Sequence, residues 1–295
     1  MRIGTNSSLL VALALLPLTL SGCGNPGGDS GSPTTPSGPP SAGSAIVYSA
    51  VGASDVIGFG SSKPCLPFQD CDGNGYVWVA ARQLRSQRFT VEISQLGIPA
   101  GVISPTFQDL ATQIGRNDVL GNFIQQELPF VRRDATLVTV FAGANDVRMI
   151  AGGVDRGLGG SNPAGYVDSM VAAFASDFAT LISGIRDRTK SARIIVLNVP
   201  NIAGLPSAAG SPLASKQFAQ RAAVRITTAV INPYAGITVI DLMCDPRLYQ
   251  SAYLYSDGFH PNDAGYAALA AEVVSALTST SYPAPKSSCA QMTLF

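Results

Sequence analysis

Only one histidine, His260, and one tryptophan, Trp78, occur in all 295 residues. Charge is scarce as well: Asp, Glu, Lys and Arg make up 13% of the chain, and 19 bases balance 19 acids. No basic cluster stands out, and a chain without one cannot neutralise a phosphate backbone, so nucleic acid is excluded as a partner. A lone imidazole and cysteines at unsuitable spacings leave no zinc site, and no other metal or cofactor is expected. "DCDGNG" at 70–75 lacks the later acidic ligand of a calcium loop and reads as a turn. No period of 20–50 residues repeats, which excludes a solenoid.

Long apolar runs are also missing. The one candidate, "LLVALALLPLTL" at 9–20, is too short to span a bilayer and follows Arg2, as in an export signal. It ends in "LSGC", which resembles a bacterial lipobox; Cys23 would then be the lipidated first residue after a signal peptide of residues 1–22. Residues 24–44 are mostly Gly, Ser, Pro and Thr with a single charge, a composition that forms a tether and not a core. The expectation is a protein anchored to a membrane by lipid, facing the periplasm or the cell surface. Residues 45–282 follow as one α/β-sized domain, with a tail at 283–295.

Export places the remaining four cysteines in an oxidising compartment. Three pairings are possible. Cys65–Cys71, closing a short loop worth about 2 kcal/mol, and Cys244–Cys289, pinning the tail, are favoured.

Hydrophobic patterning gives strands at 45–51, 88–94, 135–143, 192–200 and 236–242, with helices at 76–86, 106–114, 117–128, 163–189, 213–231 and 263–278. The Gly-rich run 152–165 reads as a mobile loop, a lid or substrate wall, and Trp78 as core. Strands that are apolar throughout and alternate with helices predict a parallel sheet covered on both faces. Sites in such sheets lie beyond the C-terminal strand ends. Those ends carry "GASD" (52–55), "QLGIPAG" (95–101), "GAND" (143–146) and, near the last strand, "SDGFHPN" (256–262).

These are the parts of acyl transfer. Ser54 supplies a hydroxyl that needs an adjacent base. His260 is the only imidazole that can serve, and Asp257 stands close enough to orient it. Gly97 and Gly101 allow backbone N–H groups near a ligand, and Asn145 offers an amide donor.

Taken in order, the four blocks resemble the SGNH hydrolases, the GDSL esterase/lipase family. Ser54, Gly101, Asn145 and His260 align with its four naming residues, and Asp257 with its acid. The resemblance implies a flavodoxin-like three-layer α/β/α sandwich of about five parallel strands. It also implies ester hydrolysis without a cofactor, and an oxyanion hole made by the N–H groups of Ser54 and Gly101 with Asn145. Two departures stand out: Ala53 replaces the aspartate that usually precedes the serine, and the second block is read as one residue longer than usual, so Gly97 rivals Gly101. The G-x-S-x-G elbow of the α/β-hydrolases is absent, because Val56 holds its second glycine position. The expected activity is a serine esterase on lipid or simple acyl esters. The alternatives are an O-acetyl esterase on polysaccharide and an inactive surface-binding lipoprotein.

Overall fold

A computed structural model of the chain describes residues 38–295 apart from Phe68 and Asp70. The signal, Cys23 and most of the tether lie outside the described residues. Five strands, β1 (Ala45–Gly52), β2 (Thr90–Gln95), β3 (Leu137–Phe141), β4 (Arg193–Leu197) and β5 (Thr238–Ile240), pair in parallel in the order β2-β1-β3-β4-β5. Strand order reverses between β1 and β3, so their C-terminal ends leave a crevice suited to a ligand.

Both faces of the sheet are buried, as the uninterrupted apolar strands predicted. Period-two alternation divides the strands inside edge strand β2 between two cores. Val138, Val140, Ile194 and Val196 face one core, together with Phe107, Val147, Phe174 and Ile226. Leu137, Phe141, Ile195 and Leu197 face the other, together with Tyr76, Leu84, Tyr266 and Val273. The helices are α1 (Ser54–Ile57), α2 (Tyr76–Ser86), α3 (Pro105–Gln113), α4 (Phe123–Gln126), α5 (Ala144–Asp155), α6 (Pro163–Thr189), α7 (Leu213–Arg225) and α8 (Asp263–Thr278). This is the α/β/α architecture that the resemblance implied. Among the described residues no helix is long and apolar enough to cross a membrane.

Three expectations change. The helix expected at 117–128 is a turn followed by an extended piece, in which Asn122 bridges to Val102, and only Phe123–Gln126 is α-helical. The Asn122 side chain accepts from the Gln125 N–H and so starts that helix late. The Gly-rich run expected to form a loop over 152–165 is a loop only at 156–162, because α5 runs on to Asp155 and α6 begins at Pro163. Gly152 and Gly153 are there for close packing and not for mobility: a Cβ on Gly152 would lie 2.8 Å from Ile114, and one on Gly153 would collide with Tyr166. Trp78 is only half-buried, and its indole N–H donates to Gln95 Oε1 at 2.6 Å.

Both favoured disulfides, Cys65–Cys71 and Cys244–Cys289, are formed. The tail docks on the body, with the Gln220 side chain accepting from the N–H of Leu294 (2.9 Å) and donating to the carbonyl of Phe295 (2.7 Å).

Candidate active site

Ser54 opens α1 immediately beyond β1. Gly52 makes this possible: at φ +152 it brings the strand end so close to β3 that a Cβ would lie 2.6 Å from the carbonyl of Phe141. The residue preceding the helix is Ala53, and no side chain caps it. The Ser54 hydroxyl is therefore not spent on a helix terminus. It lies 2.8 Å from His260 Nε2.

His260 and Asp257 share one tight loop. The Tyr255 N–H donates to the carbonyl of His260 at 2.8 Å, and Gly258 turns the chain at φ +67, where a Cβ would meet the backbone N of Ser207 at 2.8 Å. Asn262 caps α8 by accepting from the Gly265 N–H, fixing the exit of the loop. Asp257 Oδ1 accepts from the N–H groups of Phe259 (2.9 Å) and His260 (3.0 Å), while Oδ2 lies 2.6 Å from His260 Nδ1. Burial raises the Asp257 pKa, but the ring hydrogen bond and these two N–H groups outweigh it and hold the carboxyl below its ordinary value. With the Nδ1 proton donated to this carboxylate, Nε2 is left to accept from Ser54. Phe59 and Phe259 flank the imidazole edge-to-face, with ring centroids 4.7 and 4.9 Å away.

The second block needs a correction. The Gly101 N–H, expected to face the oxyanion, donates to the carbonyl of Ile98 at 2.9 Å. Gly97 does not replace it. The N–H groups of Leu96 and Ile98 both bond to β1, so alternation turns that of Gly97 off the sheet edge. The turn closed by Gly101 carries Pro99 and then Ala100 at φ +54, where a type II turn favours glycine. Among the described residues the N–H groups of Ala100 and Ser54 have no acceptor. Asn145, in the first turn of α5, donates one amide proton to the carbonyl of Gly101 at 3.0 Å and keeps the second. Gly101 thus anchors Asn145 by its carbonyl.

Buried acids tie these loops together. Asp146 Oδ1 accepts from the Ile103 N–H at 2.9 Å, and burial pushes its carboxyl up to about 7. Glu127 Oε2 accepts from the Gly52 N–H at 2.8 Å, and burial raises its pKa well above the ordinary range. Asp55, next to Ser54, is raised by burial too. Sequence reading missed Glu127, the flanking phenylalanines and Arg148, whose guanidinium lies over the Phe259 ring. Only the position of Arg148 three residues after Asn145, on the same helix face, hinted at it. A cleft of about 470 Å³ runs from Asp257 and His260 between α5 and α7, so the Gly-rich run does supply part of a wall.

A lipase from a goat rumen metagenome has a similar structure, with a TM-score of 0.50 and 15% identity over 78% of this chain and 97% of its own; it shares the fold. A phospholipase A1 from Streptomyces albidoflavus NA297 gives a TM-score of 0.46 at 18% identity, over 75% of this chain and 94% of its own. A mutant acetylxylan esterase from Geobacillus stearothermophilus gives 0.49 at 17%, over 80% and 95%. No curated protein matches the chain. The family described as "GDSL-like Lipase/Acylhydrolase family" matches residues 50–268, a span that holds Ser54, Asn145, Asp257 and His260, and the protein belongs to this family of carboxylic-ester hydrolases.

Proposed function

We propose that the chain hydrolyses carboxylic esters through an acyl-enzyme on Ser54. The observation that carries this reading is the continuous run of hydrogen bonds from Ser54 Oγ through His260 to Asp257, 2.8 and 2.6 Å. His260 takes the serine proton as Oγ attacks the ester carbonyl, and returns it to the leaving alcohol. Asp257 orients the ring and stabilises the imidazolium. The oxyanion is held by the N–H groups of Ser54 and Ala100 and by the free amide proton of Asn145, each such donor contributing on the order of 3 kcal/mol. Water, activated by His260, then releases the acid.

Lipid or simple acyl esters are the first substrate class. Phe59 and Tyr255, 47% and 44% exposed, meet edge-to-face beside His260 and give the site an apolar rim. The small and hydroxylated residues of the cleft, such as Ala203, Ser207 and Ser211, favour a second reading, an O-acetyl esterase on polysaccharide. The sequence of residues 9–23 supports export and a lipid anchor on Cys23. Assay of p-nitrophenyl acetate, butyrate, octanoate and palmitate with residues 45–295 and its Ser54→Ala variant tests the proposal. The variant should be inactive, and the chain-length optimum separates the two substrate classes. Equal inactivity of both proteins, on these and on acetylated glycans, would leave a binding protein.

A further inference from the structure

Arg148 stands out among the charged residues of the cleft. Arg116 is held by Asp118 through two hydrogen bonds of 2.8 and 2.7 Å. Asp155 accepts from Ser215 at 2.6 Å, Lys216 Nζ donates to the carbonyl of Ala209 at 2.8 Å, and Asp257 holds His260. Arg148 is half-buried, yet among the described residues it has neither a hydrogen bond nor a carboxylate within ion-pair distance. Its guanidinium packs over the Phe259 ring, 5.0 Å from the centroid, and that ring in turn meets His260. The charge therefore stands one ring beyond the reacting imidazole.

Withdrawing a cation from water with only a ring face for a partner is costly. Burial, reinforced by the nearby charge of Arg116, lowers the pKa of Arg148, although Asp118 and Asp257 act in the opposite sense from beyond ion-pair distance. A fold that keeps such a group in an open cleft has a five-donor fork free to take an oxyanion in two parallel hydrogen bonds. Space is available, because the neighbouring wall positions are Ala151 and Gly152 on the same helix and Ser207 and Ser211 opposite.

We propose that Arg148 binds an anionic group, a phosphate or a carboxylate, carried by the ester substrate, so that charged esters are preferred to neutral ones. The inference rests on the reading of Ser54 and His260 as the reacting pair.

Two matched pairs of soluble substrates test it at low salt: 1-butyrylglycerol against its 3-phosphate, and p-nitrophenyl butyrate against the p-nitrophenyl monoester of glutaric acid. A charge-assisted contact predicts a ratio of kcat/KM, anionic over neutral, of about tenfold or more in at least one pair. Which pair responds tells whether the anion lies on the alcohol or the acyl side. Arg148→Met should bring that ratio close to one, and Arg148→Lys should keep part of it. Ratios near one in both pairs, or a preference that survives Arg148→Met, overturn the proposal. Ser54→Ala run alongside separates the two readings: if it still hydrolyses the neutral esters, the nucleophile assignment fails on its own. Calorimetric binding of glycerol 3-phosphate and of glutarate, which needs no chemistry, then judges Arg148. Binding of at least one of the two that weakens about tenfold in Arg148→Met supports the site; equal binding, or none to the wild type, refutes it.

Discussion

Asp257→Asn isolates what the carboxylate does beyond holding its loop. In the wild type Oδ1 accepts two backbone N–H groups, at 2.9 and 3.0 Å, and Oδ2 faces His260 Nδ1 at 2.6 Å. An asparagine can satisfy the two N–H groups only with its carbonyl oxygen. Its NH2 must then face Nδ1, which has to present a lone pair. That moves the imidazole proton to Nε2, 2.8 Å from Ser54 Oγ, so the ring offers the serine a donor where it needs an acceptor. The charge that stabilises the imidazolium disappears as well. By analogy with serine triads generally, the loss in kcat is roughly 10³–10⁴-fold, or ~4–5.5 kcal/mol at about 1.4 kcal/mol per decade. The loop should survive, because both backbone hydrogen bonds remain, so the melting temperature should move by no more than a few degrees. Asp257→Ala, which breaks all three contacts, should lose stability as well as rate. Steady-state hydrolysis of p-nitrophenyl butyrate with thermal melts of all three proteins reads both effects. An Asp257→Asn enzyme within tenfold of wild type would refute the tautomer argument.

Two further predictions concern the supports of the site. Burial holds the Asp146 carboxyl at about 7 in the folded protein against 3.8 when exposed, so between those values the unfolded chain binds fewer protons and stability falls as pH rises. Asp146→Asn should remove ~2–3 kcal/mol of the wild-type loss between pH 5 and 8; identical urea midpoints across that range in the two proteins would contradict this. Ala100 sits at φ +54, a conformation that costs a non-glycine residue roughly 1–2 kcal/mol, partly offset by the larger unfolded-state entropy of glycine. Ala100→Gly should therefore gain about 0.5 kcal/mol of stability and keep its N–H in place, and a destabilised variant would show that the turn is not strained.

Much of the fold could be read from the sequence because it depends on local pattern. Uniformly apolar strands such as Leu137–Phe141 and the long stripe of Pro163–Thr189 carry their burial in residue spacing. The meeting of Ser54, His260 and Asp257, and the place of Asn145, were legible for a related reason: each follows a strand end or shares one short loop. The misread parts depend on partners distant in sequence. Gly152 and Gly153 look like loop residues until Ile114 and Tyr166 are seen against them. Gly101 looks like an oxyanion donor until its N–H is found closing a turn. Glu127 meets Gly52 across 75 residues, and nothing next to Arg148 in sequence reveals that its charge meets the ring of Phe259 and no carboxylate at ion-pair distance.

The central claim is that Ser54 is the atom acylated in catalysis. Treating the protein with a fluorophosphonate and mapping the adduct by peptide mass spectrometry tests it most directly. One adduct, on the peptide containing Ser54, with loss of esterase activity in proportion to labelling and no label in Ser54→Ala, is the predicted result. Labelling of another residue, or full ester hydrolysis by an unlabelled Ser54, would contradict the account.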